Sequence, residues 1–108
     1  MSNQKPSCGR ILHYKLSSTD VENISRRRKD YQQTEVPAWP KGAQAHVGNP
    51  VSVGDEVPLI VVRVFDDEYG PDVPGVNGQI LLDGNDSLWV LSIPEGTKPG
   101  TWHWPERV

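Results

Sequence analysis

The densest charge in this 108-residue chain is Arg26-Arg27-Arg28-Lys29. On a helix, successive residues turn by about 100°, so the four cations splay around the axis instead of forming one stripe. Two or three of them can still grip a phosphate or carboxylate, arginine through its planar fork and lysine as a point charge. The competing reading is a solvated helix end whose dipole favours cations. A second cluster is Gly42-Ala43-Gln44-Ala45-His46-Val47-Gly48-Asn49-Pro50. Gln44, His46 and Asn49 supply donors and acceptors between small residues that let a ligand approach the backbone, or they serve as turn hydrogen bonds. The third is Trp102-His103-Trp104-Pro105-Glu106-Arg107, where two indoles share one side. They can stack a flat ligand with Arg107 on its phosphate, or close a small core. The candidate ligand contacts are therefore Arg26, Arg27, Arg28, His46, Asn49, Trp102 and Arg107.

Other chemistries find less support. His13, His46 and His103 are spread out, lack metal-ligand spacing and are joined by a single cysteine, Cys8, so neither metal nor cofactor is expected. Asp66-Asp67-Glu68 and Asp83-Gly84-Asn85-Asp86 do not match a calcium loop and read as solvated turns. Asp83 and Asp86 face each other across such a turn, a repulsion that hydrogen bonds to turn amides would offset. No nucleophile elbow, P-loop or dinucleotide fingerprint occurs, so no enzyme is expected. Net charge is −3, but residues 1–50 carry eight Lys/Arg against four acids (+4), and the remainder three against ten (−7). That polarity steers an anionic partner to the N-terminal half or draws the helix to the sheet. The acidic total argues against sequence-independent nucleic-acid binding. No apolar run reaches membrane-spanning length, the N-terminus lacks a secretory h-region, and a lone thiol suits a reducing compartment. A cytoplasmic protein is expected.

These residues must be carried by short elements. Ile11–Leu16 reads as a strand with Leu12, Tyr14 and Leu16 on one side. A helix over about 20–32 follows, opened by a Thr19/Glu22 capping box, with a thin stripe of Val21, Ile24 and Tyr31 and the stem of Arg28 between them. Prolines and glycines break residues 33–50 into a loop, anchored by Trp39, with a short edge strand near 43–47. Apolar runs at 57–65, 76–82 and 87–92, then 102–104, read as strands, and 66–75 as a mobile polar loop. A two-residue turn at 83–84 or 84–85 places Ile80, Leu82, Trp89 and Leu91 on one face and Leu81, Leu88 and Val90 on the other. Both faces are apolar, so the second needs cover from the helix, a further layer or a partner subunit. The expected fold is one mainly β domain over 1–108, a small SH3-like or partly open β-barrel with one N-terminal helix. Residues 1–9 are expected to be flexible and 43–104 β-rich.

Taken together, several segments resemble a family of small, largely uncharacterised proteins of tailed bacteriophages and prophages. They are Gly9-Arg10 with Tyr14 and Leu16; Ile24 with Arg26-Arg27-Arg28; Gly42–Pro50; Val61-Val62-Arg63-Val64; Leu82–Asp86 with Trp89; and Gly100-Thr101-Trp102-His103-Trp104-Pro105. The resemblance implies a phage origin and a soluble protein acting in the infected cell or the particle, and it assigns no residue a role. The expected function is a non-enzymatic binding module for a host protein or a small anionic, nucleotide-like ligand. On that reading, replacing Arg27 and His46 with alanine abolishes binding and leaves the melting temperature nearly unchanged. The alternatives are a homo-oligomeric head or tail accessory protein with an apolar assembly face, and a nucleic-acid binder.

Overall fold

The computed structural model of the protein describes residues 5–33 and 48–106, with side chains over 5–29 and 48–106. In chain order the elements are β1 (Ile11–Lys15), α1 (Ser18–Gln33), β2 (Glu56–Phe65), β3 (Gly75–Leu81), β4 (Ser87–Pro94) and β5 (Trp102–His103). The strands form one sheet in the order β4-β3-β2-β1-β5, antiparallel at every pairing. It curls into a half-barrel, the mainly β, partly open architecture with one helix that the sequence predicts. The edge strand expected at 43–47 lies outside the described residues.

Alternation along the strands sorts the core. Leu12 and Tyr14 of β1, Leu59 and Val61 of β2, Val76 and Ile80 of β3, and Trp102 of β5 are fully or almost fully buried. On β4 the buried pair Val90 and Ile93 are three residues apart, which a period of two forbids. The extra residue is absorbed by a register shift between Val76 and Gly78 and by Ser92 at φ 52. Ser92 donates its N–H to Asn77 Oδ1 at 2.8 Å, which holds the bulge.

Helix α1 starts two residues before the sequence predicts, because a different capping box wins. Asp20 N–H donates to Ser17 Oγ at 3.1 Å, and Ser17 N–H donates to Asp20 Oδ2 at 2.9 Å. Thr19 and Glu22 are exposed. Asp20 is the better partner since the Tyr14 hydroxyl, rising from β1, also donates to its carboxylate. Burial, then that hydrogen bond and the charge of Asp20, push the Tyr14 hydroxyl far above its ordinary value of 10. The face that α1 turns to the sheet carries Asp20, Ile24, Arg27 and Arg28, at the i, i+4, i+7 and i+8 spacing of one helix side. Ile24 is its one fully buried apolar residue among those described. Among the described residues the helix is thus docked through Ile24, the half-buried Val21 and these polar side chains together.

The β3–β4 connection overturns the expected facing pattern. Leu81 pairs with Ser87, and Leu82 N–H donates to Asp86 O at 3.0 Å, leaving a three-residue loop at 83–85 with Gly84 at φ 139. An odd loop shifts the register by one and reverses which residues share a side. Ile80, Leu82 and Val90 face the core with Leu88 half-buried, whereas Leu81, Trp89 and Leu91 are 44%, 42% and 60% exposed. Within the chain, one face of this ribbon is covered and the other is not.

Two further expectations change. Within the segment expected to be flexible, residues 5–9 make contacts with the sheet and the 66–75 loop: Pro6 is buried, Gly9 N–H donates to Val61 O at 2.8 Å, and Lys5 pairs with Asp72 at 3.0 Å. The 66–75 loop is closed by its own bonds, with Tyr69 N–H on Val73 O at 3.0 Å and Asp72 N–H on Asp67 Oδ1 at 2.9 Å. The Tyr69 hydroxyl clips this loop to the Ser92 carbonyl.

Candidate anion-binding cleft

The basic run sits in the second half of α1, where helical spacing aims Arg27 and Arg28 at the β3–β4 turn. The target is Asp86, whose side chain is 0% exposed. Its Oδ1 accepts from Arg27 Nη2 at 2.9 Å and from Ser87 N–H at 2.9 Å. Arg28 Nε lies 3.4 Å from Oδ2. Arg27 Nη2 also donates to Ser87 O at 3.1 Å. A buried carboxylate between two guanidiniums is tolerable because both neutralise its charge, Arg27 with a directed hydrogen bond and Arg28 as a close ion pair, and the Ser87 amide adds a second donor.

The segment at 48–50 completes the clasp. Asn49 N–H donates to Asp83 O at 2.9 Å, its Nδ2 donates to Asp83 Oδ2 at 2.6 Å, and its carbonyl accepts from Arg28 Nη1 at 2.6 Å. Asp83 and Asp86 are therefore kept apart electrostatically by separate partners. Gly48 forms a bridge with Gly84. A Cβ at Gly48 would overlap the Asp83 carbonyl oxygen and lie 2.9 Å from Arg28 Nη2, so only glycine permits this approach.

Beside the clasp opens a cleft of about 460 Å³, lined by Ser25, Arg28, Lys29, Gly48, Pro50 and Val51. Arg28 Nη2 is buried and has no hydrogen-bond acceptor among the described residues, and it lies next to Gly48 on the cleft wall. Lys29 is exposed at the same wall. The wall thus offers the Lys29 ammonium, which pairs with no carboxylate among the described residues, while Arg28 Nη2 lies just beneath the surface beside Gly48 and becomes available to an anion by a small shift of its side chain.

The expected contacts separate accordingly. Arg28 and Asn49 come together at the cleft. Arg27 lies beside them but is committed to Asp86 and the Ser87 carbonyl, and Arg26 is exposed without lining the cleft. Trp102 is corrected: at 0% exposure it is core, packed edge to face on Trp104 with ring centres 5.6 Å apart, and it has no face for a ligand. Arg10 covers Trp104 instead, its guanidinium carbon 5.0 Å from the ring centre. His46 and Arg107 lie outside the described residues, as do Gln44 and Trp39.

Sequence reasoning missed three features. Asp86 was read as a solvated turn residue, although the opposed charges of the two chain halves were a signal for a helix-to-sheet ion pair. Lys29 was included in the basic run but not singled out as a contact. His13 and His103, far apart in the sequence and without metal-ligand spacing, are paired directly across β1 and β5 with Glu56 beside them. No helix among the described residues is long and apolar enough to cross a membrane. No protein-family model, curated protein or solved structure matches the chain.

Proposed function

We propose that the protein is a non-enzymatic binding module that takes a small anionic group, such as the phosphate of a nucleotide, in the cleft between α1 and residues 48–51. The observation that carries this reading is the Arg28 Nη2 donor, buried without an acceptor among the described residues on a wall shared with Lys29. A buried guanidinium donor left unused costs free energy that an incoming anion recovers. The clasp through Asp86 and Asn49 holds this arginine in place before any ligand arrives, which lowers the ordering cost of binding. With the resemblance to phage proteins, the setting is the infected cell, where such a module would sequester a nucleotide-like ligand or hold a host protein through an acidic segment.

Titration of isotope-labelled protein with ATP and with inorganic phosphate tests the reading. Amide shifts are expected at residues 25–29 and 48–51, and Lys29→Ala is expected to weaken binding about 5–10-fold with an unchanged melting temperature. Shifts confined to other residues would refute it. A second reading rests on the exposed Leu81, Trp89 and Leu91, a flank suited to an assembly surface in a virion accessory protein. Light scattering separates the two: a ring or larger assembly that Leu91→Lys disperses favours the second.

A further inference from the structure

We propose that His13, Glu56 and His103 form a binding site for a divalent transition ion of the zinc class on the outer face of the half-barrel, independent of the anion cleft. The sheet builds the site. Leu12 and Tyr14 of β1 point into the core, so His13 between them points out. Antiparallel pairing sets His103 of β5 directly opposite His13, while the neighbouring pair Tyr14 and Trp102 is buried on the other side. Glu56 of β2 pairs with Lys15 of β1, one diagonal step from His13 on the same face. Three strands thus deliver three ligand side chains to one point, from positions 43 and 47 residues apart in the chain.

The geometry fits an ion. His13 Nδ1 is 3.7 Å from Glu56 Oε1, His103 Nε2 contacts the same oxygen, and the three ligand atoms all lie within 4.8 Å of one another. Ligand atoms around a tetrahedral ion at about 2.0–2.2 Å are roughly 3.3–3.6 Å apart, so rotamer adjustments of about 1 Å suffice. Two imidazoles with one carboxylate select zinc, cobalt, nickel, copper or ferrous ions over magnesium and calcium, which prefer all-oxygen shells. The two rings meet edge to face with centres 5.6 Å apart, on backbones fixed by the core behind them. Lys15, opposite Glu56 in the strand pairing, directs its Nζ to the Thr97 carbonyl at 2.9 Å and so leaves the centre open. Three protein ligands at a half-exposed position leave coordination sites for water or a partner's side chain.

Calorimetric titration of the full chain with zinc chloride is the test. One ion per chain is expected, with affinity falling at least 10-fold in His13→Ala and in His103→Ala and several-fold in Glu56→Gln. Cys8→Ser and His46→Ala are expected to keep it. Circular dichroism shows whether each variant remains folded. The visible absorption of cobalt added to the unaltered chain gives a second readout that needs no substitution, with tetrahedral bands expected. Absence of saturable zinc binding, binding that survives the His13→Ala/His103→Ala double substitution, or displacement of zinc by equimolar magnesium would each overturn the proposal.

Discussion

Replacing Asp86 with alanine removes the carboxylate that pairs with both Arg27 and Arg28 and leaves the Arg28 side chain, only 12% exposed, without a counter-charge among the described residues. Breaking a buried ion pair from one side costs about 3–5 kcal/mol. A domain of this size has about 5–10 kcal/mol in total, and each kcal/mol moves its melting temperature by about 4–8 °C. The Asp86→Ala variant is therefore expected to melt about 12–40 °C below the parent. Arg27 is 31% exposed, and its loss leaves Asp86 both Arg28 and the Ser87 amide, so Arg27→Ala should cost less, about 1–2 kcal/mol. That revises the expectation of an unchanged melting temperature for Arg27→Ala, because the residue is a strut. Urea denaturation of the parent, both single variants and the double variant closes a cycle, and a coupling energy of at least about 1 kcal/mol is expected. A loss below about 1 kcal/mol for Asp86→Ala, or strict additivity in the cycle, would refute the view that this pair fastens helix to sheet.

Stability should respond to alkali through Tyr14. Its hydroxyl ionises at higher pH in the native state than in the unfolded chain, so the contribution is complete below about pH 10. Above that pH it falls by about 1.4 kcal/mol per pH unit until the native hydroxyl itself ionises, and Tyr14→Phe, compared by denaturant unfolding across pH 8–11, should flatten the slope. Gly48→Ala drives a methyl into the Asp83 carbonyl and should lower the urea midpoint by the equivalent of about 1–3 kcal/mol. Ser17→Ala should cost about 1 kcal/mol by the same measurement and Thr19→Ala less than about 0.5, which separates the two overlapping capping boxes.

Strand existence was legible because Val57–Phe65, Val76–Leu82 and Ser87–Ser92 carry β-branched and aromatic residues between turn formers, and each became a strand. Facing was not legible, since Leu82-Asp83-Gly84-Asn85-Asp86 accommodates even and odd turns alike and both flanks are apolar. The helix start was ambiguous for a similar reason: Ser17-x-x-Asp20 and Thr19-x-x-Glu22 both satisfy the capping rule, and only the Tyr14 hydroxyl, from another element, decides between them. The basic run pointed to Arg28, while the partner that immobilises it, Asp86, is 58 positions away. The His13, Glu56 and His103 cluster escaped because ligand spacing rules describe single helices and loops, whereas strand pairing joins residues at any separation.

The three-residue link at 83–85 has an evolutionary corollary. Deleting or inserting one amino acid there would turn β4 inside out, sending Trp89 and Leu91 inward and Val90 to water, so length variation is tolerated only in steps of two. Even a two-residue insertion would carry Asp83, Gly84 and Asp86 away from Asn49, Gly48 and the arginines that grasp them. This corner of the molecule should therefore resist indels more strongly than its exposed position suggests, and related chains should show drift in its side chains long before they show drift in its length.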